Sequence, residues 1–351
     1  MSRLLAASTR SMTDPAATAE PLIADLPFQC SVPGRPGQGW FPLVLAPDRS
    51  GSLQEQVAAS AGKLLAVIEG CGAILFRGFQ DNGVQGFHEV MEALPLPAFT
   101  YDESLSNAVR RNRTDRVFTA NEAPPELEIF LHHEMAQTPC FPRYLFFYCE
   151  KAPETGGATP LCRSDHLLAR LEQQLPEFID RCRRLGVTYT HTMPGAPDEG
   201  SGQGRSWRDT LAVADRDQAE AKLQSLGYQW LWQGDDELRV TTPPLPAVSA
   251  TPSGEGVFFN QLVAAYAGWQ HRPEDAGRML SFGDGSAMPR PALEQLVATA
   301  YSEVYDHAWR PGDVIVIDNL RVMHGRRPFT GSRSVLAGLA VACRHGVPGQ
   351  A

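Results

Sequence analysis

The sequence predicts a mainly β protein with peripheral helices, built on a double-stranded β-helix (jelly-roll) core. Many short segments rich in β-branched and aromatic residues recur along the chain, separated by Gly and Pro. Helical periodicity is confined to stretches between these segments. No internal repeat appears at a period of roughly 20–50 residues. This pattern is typical of a jelly-roll barrel decorated with helical insertions.

The chain is expected to contain one domain and a leader. Residues 1–25 are rich in Ser, Thr, Ala and Pro without periodicity, so we expect a mobile leader. Residues 26–351 are expected to form a single jelly-roll domain with insertions at about 194–226 and 262–306. All-β domains can run this long as one unit.

In the first part of the chain, helices and strands alternate. A helix is expected from its N-cap Ser52 to about Glu69, where Gly and Cys residues end it. Residues 73–79 are predicted to form a buried strand, followed by a short helix at 84–94. Residues 96–126 are expected to form a loop, which is either a solvated surface or a lid over a site. Its basic stretch contains Arg110, Arg111, Arg113 and Arg116.

The rest of the chain is predicted to be richer in strands. The pattern at 143–150 is the strongest strand signal, and a strand beginning at Ala158 follows the Gly156-Gly157 turn. A flexible loop is expected at 194–206, because Gly, Pro and Ser dominate there. Helices are predicted at 165–172, 176–184, 207–226 and 291–306, and further strands at 187–192, 228–233, 238–242, 256–260, 313–317 and 334–343.

Charge and cysteine usage limit the classes of partner. A formal net charge of −9 argues against nucleic acid or an anionic membrane surface. The seven cysteines are odd in number and lack C-x-x-C spacing, so neither a disulfide framework nor a structural zinc site is expected. No apolar run approaches the roughly 18 residues that span a membrane. We therefore expect a cytoplasmic protein that acts on a small molecule, and its oligomeric state stays open.

The stretch at 130–135 contains the candidate chemistry. His132 and Glu134 are two positions apart, so both side chains leave the same face of an extended segment. His133 must then point the other way and could not share a face with Glu134. His324 follows the strand predicted at 313–317 and lies beside Gly325. Two imidazoles and a carboxylate, with the other positions open, form the facial triad of non-haem Fe(II) oxygenases.

Five passages resemble a known superfamily. They are LHHEMAQTPCFPRYLFFYCEKAPETGGATPLCRS (131–164), GRSWRDTL (204–211), VFFNQL (257–262), FGDG (282–285) and DNLRVMHGRRPFTGSR (318–333). On these passages the chain resembles TauD/TfdA-type Fe(II)/2-oxoglutarate-dependent dioxygenases. Within them it is most similar to the clavaminate-synthase-like and syringomycin-pathway aspartate-hydroxylase-like group. The resemblance covers roughly residues 70–345.

The resemblance implies roles for five residues. His132, Glu134 and His324 would bind Fe(II). Thr159 would contact the cosubstrate 2-oxoglutarate, and Arg333 would clamp its distal carboxylate, for which a bidentate guanidinium is well suited. With O2, 2-oxoglutarate would be converted to succinate and CO2 as the substrate is oxidised. Related halogenases lack the carboxylate, so its presence favours hydroxylation or a related oxidation over halogenation.

The resemblance implies less about the substrate. It suggests an amino acid, free or carried on a peptidyl-carrier protein, in specialised metabolism. Either Arg205 or Arg321 is the candidate for binding a substrate carboxylate. Arg326 and Arg327 are expected in a turn and facing outward. The candidates for substrate contact are Asn121, Arg205, Trp207 and Arg321.

Three alternatives remain open. The same iron site could catalyse desaturation, cyclisation or C–X cleavage of another small carboxylate or sulfonate. The three ligands could instead hold zinc in a hydrolase or isomerase, which iron- and 2-oxoglutarate-dependent CO2 release would distinguish. A metal-free jelly-roll binding module would take up no metal.

Overall fold

Two β-sheets packed face to face form the centre of the computed structural model, which describes residues 23–33, 40–99, 105–106, 110–120, 123–197, 205–268 and 279–345. Strands are numbered along the chain. The larger sheet has seven strands in the spatial order β1 (Phe28–Ser31), β2 (Leu43–Pro47), β3 (Ala73–Phe76), β16 (Val314–Asp318), β6 (Cys140–Lys151), β19 (Ser334–Arg344) and β4 (Phe118–Thr119). Strands β2 and β3 run parallel, whereas the other neighbours are antiparallel.

The smaller central sheet faces the larger one. Its spatial order is β15 (Tyr305–His307), β8 (Thr159–Arg163), β17 (Val322–Arg326) and β5 (Ile129–His132). Leu145, Ile315 and Ile317 of the larger sheet share one core cluster with Leu161 and Val322 of the smaller sheet. Within the described residues neither sheet closes on itself. The mainly β, jelly-roll prediction is confirmed, as two open sheets with a common core.

Helices cover the outer face of the larger sheet. Helix α1 (Leu53–Cys71) begins with a capping box, in which Ser52 and Glu55 each accept a hydrogen bond from the other's backbone N–H. Helix α2 (Gly83–Ala93) lies beside it. Val67 of α1 and Phe87 of α2 pack in one cluster with Phe146 of β6. This layer buries the face of the sheet that points away from the site.

Four more helices cover the outer side of the smaller central sheet. They are α3 (Ser164–Gln174), α4 (Pro176–Leu185), α7 (Leu262–Gly268) and α8 (Arg290–Ser302). Met323 of β17 packs in their cluster, whereas its neighbour Val322 packs between the sheets. Side chains therefore alternate along β17, and His324 points inward with Val322.

An insertion with its own small core completes the described structure. It contains α5 (Trp207–Leu211), α6 (Arg216–Ser225) and a sheet in the order β10 (Gln229–Trp232), β11 (Leu238–Thr241), β9 (Val187–Met193) and β14 (Leu280–Phe282). The indole of Trp207 is fully buried in its core. Two short pairs remain, β12 (Ser249–Ala250) with β13 (Gly256–Val257) and β7 (Thr155–Gly156) with β18 (Phe329–Thr330).

Two predicted helices differ from the observed ones. The helix expected at 207–226 is divided into α5 and α6, because Ala212 adopts a left-handed conformation with φ 50°. The helix expected at 291–306 ends at Ser302, and the chain enters β15 to pair with β8. Sheet pairing overrides local helix propensity there.

The two predicted loops and the leader are described only in part. Most of the leader (1–22) and most of the 194–206 loop (198–204) lie outside the described residues. The stretch at 96–126 is not simply a loop, because it contributes β4 to the edge of the larger sheet. Among the described helices, none is both long enough and apolar enough to cross a membrane.

Candidate metal centre

Two histidines meet because they lie opposite each other on neighbouring strands. His132, the last residue of β5, pairs with His324 on β17. The centroids of the two imidazole rings are 4.3 Å apart. Directly opposed residues on one sheet face have close Cβ atoms. The register of two strands therefore brings together side chains that are far apart in sequence.

A bulge follows this pair and requires a glycine. The pairing passes from His324–His132 to Arg326–Ile129, so β5 contributes one more residue than β17 across this interval. A Cβ atom at Gly325 would lie 2.4 Å from the backbone oxygen of Ile129. The glycine beside His324 is therefore needed for the close approach of the two strands.

Glu134 reaches the histidines from a turn rather than from a strand. Strand β5 ends at His132, and Met135 has φ 58°. The side chain of Asn319 stabilises this turn through two hydrogen bonds. Its Oδ1 accepts a hydrogen bond from the Glu134 N–H at 2.8 Å, and its Nδ2 donates one to the Glu134 carbonyl at 3.0 Å. Oε2 of Glu134 lies 3.7 Å from Nε2 of His132 and 3.7 Å from Nε2 of His324.

His133 faces the other way, as expected. Its ring is fully buried, with Nδ1 donating to the Asn319 carbonyl and Nε2 accepting from the Ser164 hydroxyl at 2.6 Å. Burial lowers the pKa of His133 to about 3. This histidine is therefore a neutral structural link between the Glu134 turn and its surroundings.

The three converging groups suit a divalent cation. Their ligand atoms lie within 4.8 Å of one another. Burial alone would raise the pKa of Glu134, but the neighbouring His132 and the positive charge of Arg110 lower it to about 2. Burial holds the pKa of His324 well below its ordinary value. Nδ1 of His132 donates to the Phe130 carbonyl at 2.8 Å, which leaves Nε2 as the ligand atom. A carboxylate with two imidazoles fits Fe(II).

Arg333 and Thr159 line the same cavity as the two histidines. The Nε of Arg333 donates to the Gly157 carbonyl at 3.2 Å. Burial lowers the pKa of Arg333 to about 10, so the guanidinium is still charged at neutral pH. Gly157 has φ +66°, and a Cβ atom there would lie 3.3 Å from Cδ of Arg333. The Gly-Gly turn therefore gives the arginine room beside the cavity.

Thr159 is held by an indole. Nε1 of Trp309 donates to Oγ1 of Thr159 at 3.0 Å, and both side chains are buried. Sequence reasoning did not single out Trp309, because nothing in its local pattern indicates that β15 lies beside β8.

The residues predicted to contact substrate do not line this cavity where the structure describes them. Asn121 lies outside the described residues. Arg205 donates to two backbone carbonyls, and the buried Trp207 donates its indole N–H to another. Arg321 is buried and ion-paired with three carboxylates, those of Asp165, Glu255 and Asp318. The described polar groups of these residues are directed to protein partners.

Arg326 does not face outward, contrary to the sequence-based expectation. Arg326 is only 4% exposed to solvent, and it lines the cavity. The guanidinium donates to the backbone carbonyls of Ala123, Pro124 and Leu127. The physical reason is that β17 continues through Arg326, so strand alternation places it on the same side as His324.

Arg110 lines the cavity, but nothing in the sequence distinguishes it from the arginines that follow it. Its Nη2 lies 3.6 Å from Oε1 of Glu134, and its side chain is 13% exposed. It lines the cavity together with Phe147 and Thr159. The cluster of arginines around it was visible in the sequence, but not which of them points inward.

Comparison with known proteins finds related sequences. A family model described as "Taurine catabolism dioxygenase TauD, TfdA family" matches residues 41–339. A clavaminate synthase-like protein from Arabidopsis thaliana is 38% identical over 269 residues, which are 76% of this chain and 81% of that protein. The dapdiamide synthesis protein DdaC from Enterobacter agglomerans is 28% identical over 281 residues, which are 76% of this chain and 82% of DdaC.

Solved structures share the architecture. The fold is similar to that of PvcB from Pseudomonas aeruginosa, with a TM-score of 0.54 at 18% identity over 91% of this chain and 95% of PvcB. A second structure describes PvcB as an Fe, α-ketoglutarate-dependent oxygenase from an isonitrile synthetic pathway. At this level of identity the similarity concerns the fold.

Proposed function

This chain belongs to the taurine catabolism dioxygenase TauD, TfdA family, and on that premise we propose that His132, Glu134 and His324 bind its Fe(II). The enzyme is a non-haem Fe(II) oxygenase that depends on 2-oxoglutarate and O2. The observation that carries the proposal is the convergence of the three ligand atoms within 4.8 Å of one another. The bound iron would supply the oxidising chemistry.

We assign the binding of 2-oxoglutarate to Arg333 and Thr159. Support comes from their place in the cavity that also contains His132 and His324. The charged guanidinium offers two parallel donors to the distal carboxylate, and the Thr159 hydroxyl offers a third. Phe147 contributes an apolar wall, with its ring centroid 5.3 Å from that of His324. Such a wall limits the access of water to the reacting groups.

We infer that the reaction is hydroxylation of an amino acid, either free or tethered to a peptidyl-carrier protein. The relatives support this inference through their names, which refer to clavaminate synthase and dapdiamide synthesis. The carboxylate of Glu134 takes the third ligand position, which favours hydroxylation over halogenation. A small-molecule substrate is in keeping with the family.

Removal of single ligands tests the metal assignment. We expect His132→Ala, Glu134→Ala and His324→Ala each to abolish Fe(II)-dependent succinate formation and to weaken Mn(II) binding at least ~100-fold, because each removes one of three protein ligands. Succinate release and calorimetric titration with Mn(II) measure the two effects. A chelator should remove the same activity from the unmodified protein, and Fe(II) should restore it.

The matched control is His166→Ala, which removes a partly exposed histidine that does not line the cavity. It should leave metal binding within about twofold of the unmodified protein. Mn(II) affinity that survives all three ligand substitutions would contradict the assignment.

A further inference from the structure

We propose that the chain forms a two-fold symmetric dimer in which strand β10 pairs antiparallel with β10 of a second copy. The two four-stranded insertion sheets would then join into one continuous sheet. The inference concerns a strand that does not line the cavity, so it does not depend on the proposed function. It names the partner for a strand edge to which no other described strand binds.

Strand β10 lies at the edge of the insertion sheet. Its neighbour on one side is β11, and among the described residues no strand pairs with its other side. An edge strand presents a row of backbone N–H and C=O groups that can pair with another chain, and soluble proteins commonly protect such edges with charged residues or proline. The five residues from Gln229 to Gln233 include neither. This edge therefore lacks the usual protection against strand addition.

The hairpin formed by β10 and β11 determines which backbone groups face outward. The N–H of Gln233 donates to the Glu237 carbonyl at 2.9 Å, so these two residues form a hydrogen-bonded pair at the turn. In an antiparallel ladder such pairs alternate with pairs that are not hydrogen-bonded. Leu231, two positions earlier, therefore bonds to β11, whereas the N–H and C=O groups of Trp230 and Trp232 point away from β11.

The sequence of this edge reads the same in both directions. Residues 229–233 are Gln-Trp-Leu-Trp-Gln. When two antiparallel copies are centred on Leu231, Trp230 of each copy lies opposite Trp232 of the other, and each glutamine lies opposite a glutamine. The outward N–H and C=O groups of each tryptophan pair then exchange both hydrogen bonds. A two-fold interface has to be self-complementary in this way.

An exposed apolar side chain lies at the centre of this edge. Leu231 is 61% exposed, the largest fraction among the large hydrophobic side chains that the structure describes. In the proposed dimer it lies opposite its own copy, in a pair without backbone hydrogen bonds, where the side chains of two strands are closest. Pairing removes both leucine side chains from water, which favours association.

The two tryptophans hold β10 in place before a second copy binds. Trp230 and Trp232 pack in one core cluster with Leu223 of α6. Nε1 of Trp232 donates to Oε1 of Glu220 at 2.7 Å, and the guanidinium carbon of Arg216 lies 4.4 Å from the ring centroid of Trp232. The strand is therefore preorganised, and association requires little ordering of side chains.

The proposed interface is small, because it consists of one short strand and its side chains. Interfaces that bury less than about 1,200 Å² in total are typical of weak and transient association. We therefore expect a dimer that forms at micromolar concentrations and dissociates on dilution.

Cysteine cross-linking tests the register of the two strands. Leu231→Cys places two thiols at the two-fold axis, where opposed Cα atoms are about 4.5 Å apart, within the range of a disulfide. We expect oxidised glutathione to convert most of this variant to a disulfide-linked dimer, which appears on a non-reducing gel and is reversed by excess thiol.

The matched control for cross-linking is Gln229→Cys. Gln229 is exposed and lies on the same face of β10 as Leu231, but its two copies would be more than ~13 Å apart in the proposed register. This variant should stay monomeric on the gel, like the unmodified protein with its seven free cysteines.

Sedimentation velocity over a micromolar concentration series measures association of the reduced protein. We expect the unmodified protein to shift from monomer to dimer as its concentration rises. Leu231→Lys should weaken dimerisation at least ~10-fold, because it removes the apolar contact and places like charges directly opposite each other. The matched control is Leu127→Lys, since Leu127 is exposed but lies outside the insertion. It should dimerise as the unmodified protein does.

Three results would overturn the inference. The first is an unmodified protein that stays monomeric at every concentration. The second is equal cross-linking of Leu231→Cys and Gln229→Cys, which indicates random collision. The third is a dimer that Leu231→Lys leaves intact, which would place the interface on another surface. If Leu231→Lys does not fold, the sedimentation of the unmodified protein and the cross-linking comparison still decide.

Discussion

Thr159 has a single hydroxyl hydrogen, and its neighbour Trp309 determines where that hydrogen points. The indole N–H can only donate, so the Thr159 oxygen must act as acceptor in the 3.0 Å contact between them. The hydroxyl hydrogen is then available to a carboxylate on the cavity side. Trp309 acts as a positioning residue, because it orients a donor without itself lining the cavity.

A double-mutant cycle tests this coupling. We expect Trp309→Phe and Thr159→Val each to weaken anaerobic 2-oxoglutarate binding by about 3- to 10-fold, which is the size of one ordinary hydrogen bond. Because the two residues act through one contact, the double variant should be little weaker than either single variant. Calorimetric titration on the Fe(II)-loaded protein gives the four affinities.

The control for the indole is Trp230→Phe, since Trp230 belongs to the insertion and not to the cavity. It should leave 2-oxoglutarate affinity unchanged. Strictly additive effects of Trp309→Phe and Thr159→Val would show that the indole acts only through packing.

At the scale of elements, Asn319 connects the two segments that supply the candidate ligands. It lies between β16 and β17, and its side chain bonds both backbone polar groups of Glu134. Its Nδ2 also donates to the Pro142 carbonyl at 2.8 Å. The position of the Glu134 carboxylate relative to His324 therefore depends on one buried amide.

Substitution of this amide should loosen the site. We expect Asn319→Ala to weaken Mn(II) binding by about 10- to 100-fold, the usual effect of removing a group that orients a metal ligand. Asn319→Asp keeps an acceptor for the Glu134 N–H but loses both side-chain donors, so it should also weaken binding. Metal affinity by calorimetry, together with the unfolding midpoint, separates this effect from a general loss of stability. Unchanged Mn(II) affinity in Asn319→Ala would mean that the turn at Glu134 keeps its conformation without the Asn319 side chain.

The sequence predicted the residue types of the candidate site better than their geometry. His132, Glu134 and His324 were recognisable by spacing and resemblance, because those depend on local sequence. The pairing of His132 with His324 was not, because strand register is a long-range property. Glu134 was expected on a strand, but hydrogen bonds from the distant Asn319 hold it in a turn.

Local sequence also does not indicate which arginine side chains point into the cavity. Arg110 and Arg111 are adjacent and chemically identical, yet only the first lines the cavity. The chain folds back on itself just after them, in a hairpin closed by backbone hydrogen bonds such as that from Thr119 N to Arg111 O at 2.9 Å. Arg326 was expected at the surface because the end of β17 could not be located from the sequence.

At the scale of the whole molecule, a buried ion pair links the larger sheet to the turn before β17. Nη2 of Arg143 on β6 lies 2.8 Å from Oδ2 of Asp318 at the end of β16, and the two side chains are 1% and 0% exposed. Oδ1 of Asp318 also accepts from the Leu320 N–H at 3.0 Å. The pair holds the two strands where the chain turns toward His324.

Loss of one member of this pair should destabilise the fold as a whole. We expect Asp318→Asn to lower the free energy of unfolding by about 3–5 kcal/mol, because the Arg143 charge stays buried without its counter-charge. Urea unfolding followed by circular dichroism measures the change. The control is Asp236→Asn, which breaks the exposed pairs with Arg208 and Arg216 and should have a much smaller effect. An equal loss in both variants would contradict the argument.

The register of β5 against β17 determines whether the candidate metal site can form. If β5 slid by one position along β17, Leu131 or His133 would stand opposite His324, and the imidazole of His132 would turn to the other side of the sheet. Within the described residues β5 has a single neighbour, β17, so no further strand enforces the correct match. Metal binding would then distinguish the correct strand register from a shifted one. A molecule with shifted strands would lack one of the three ligands, bind the ion weakly and remain inactive.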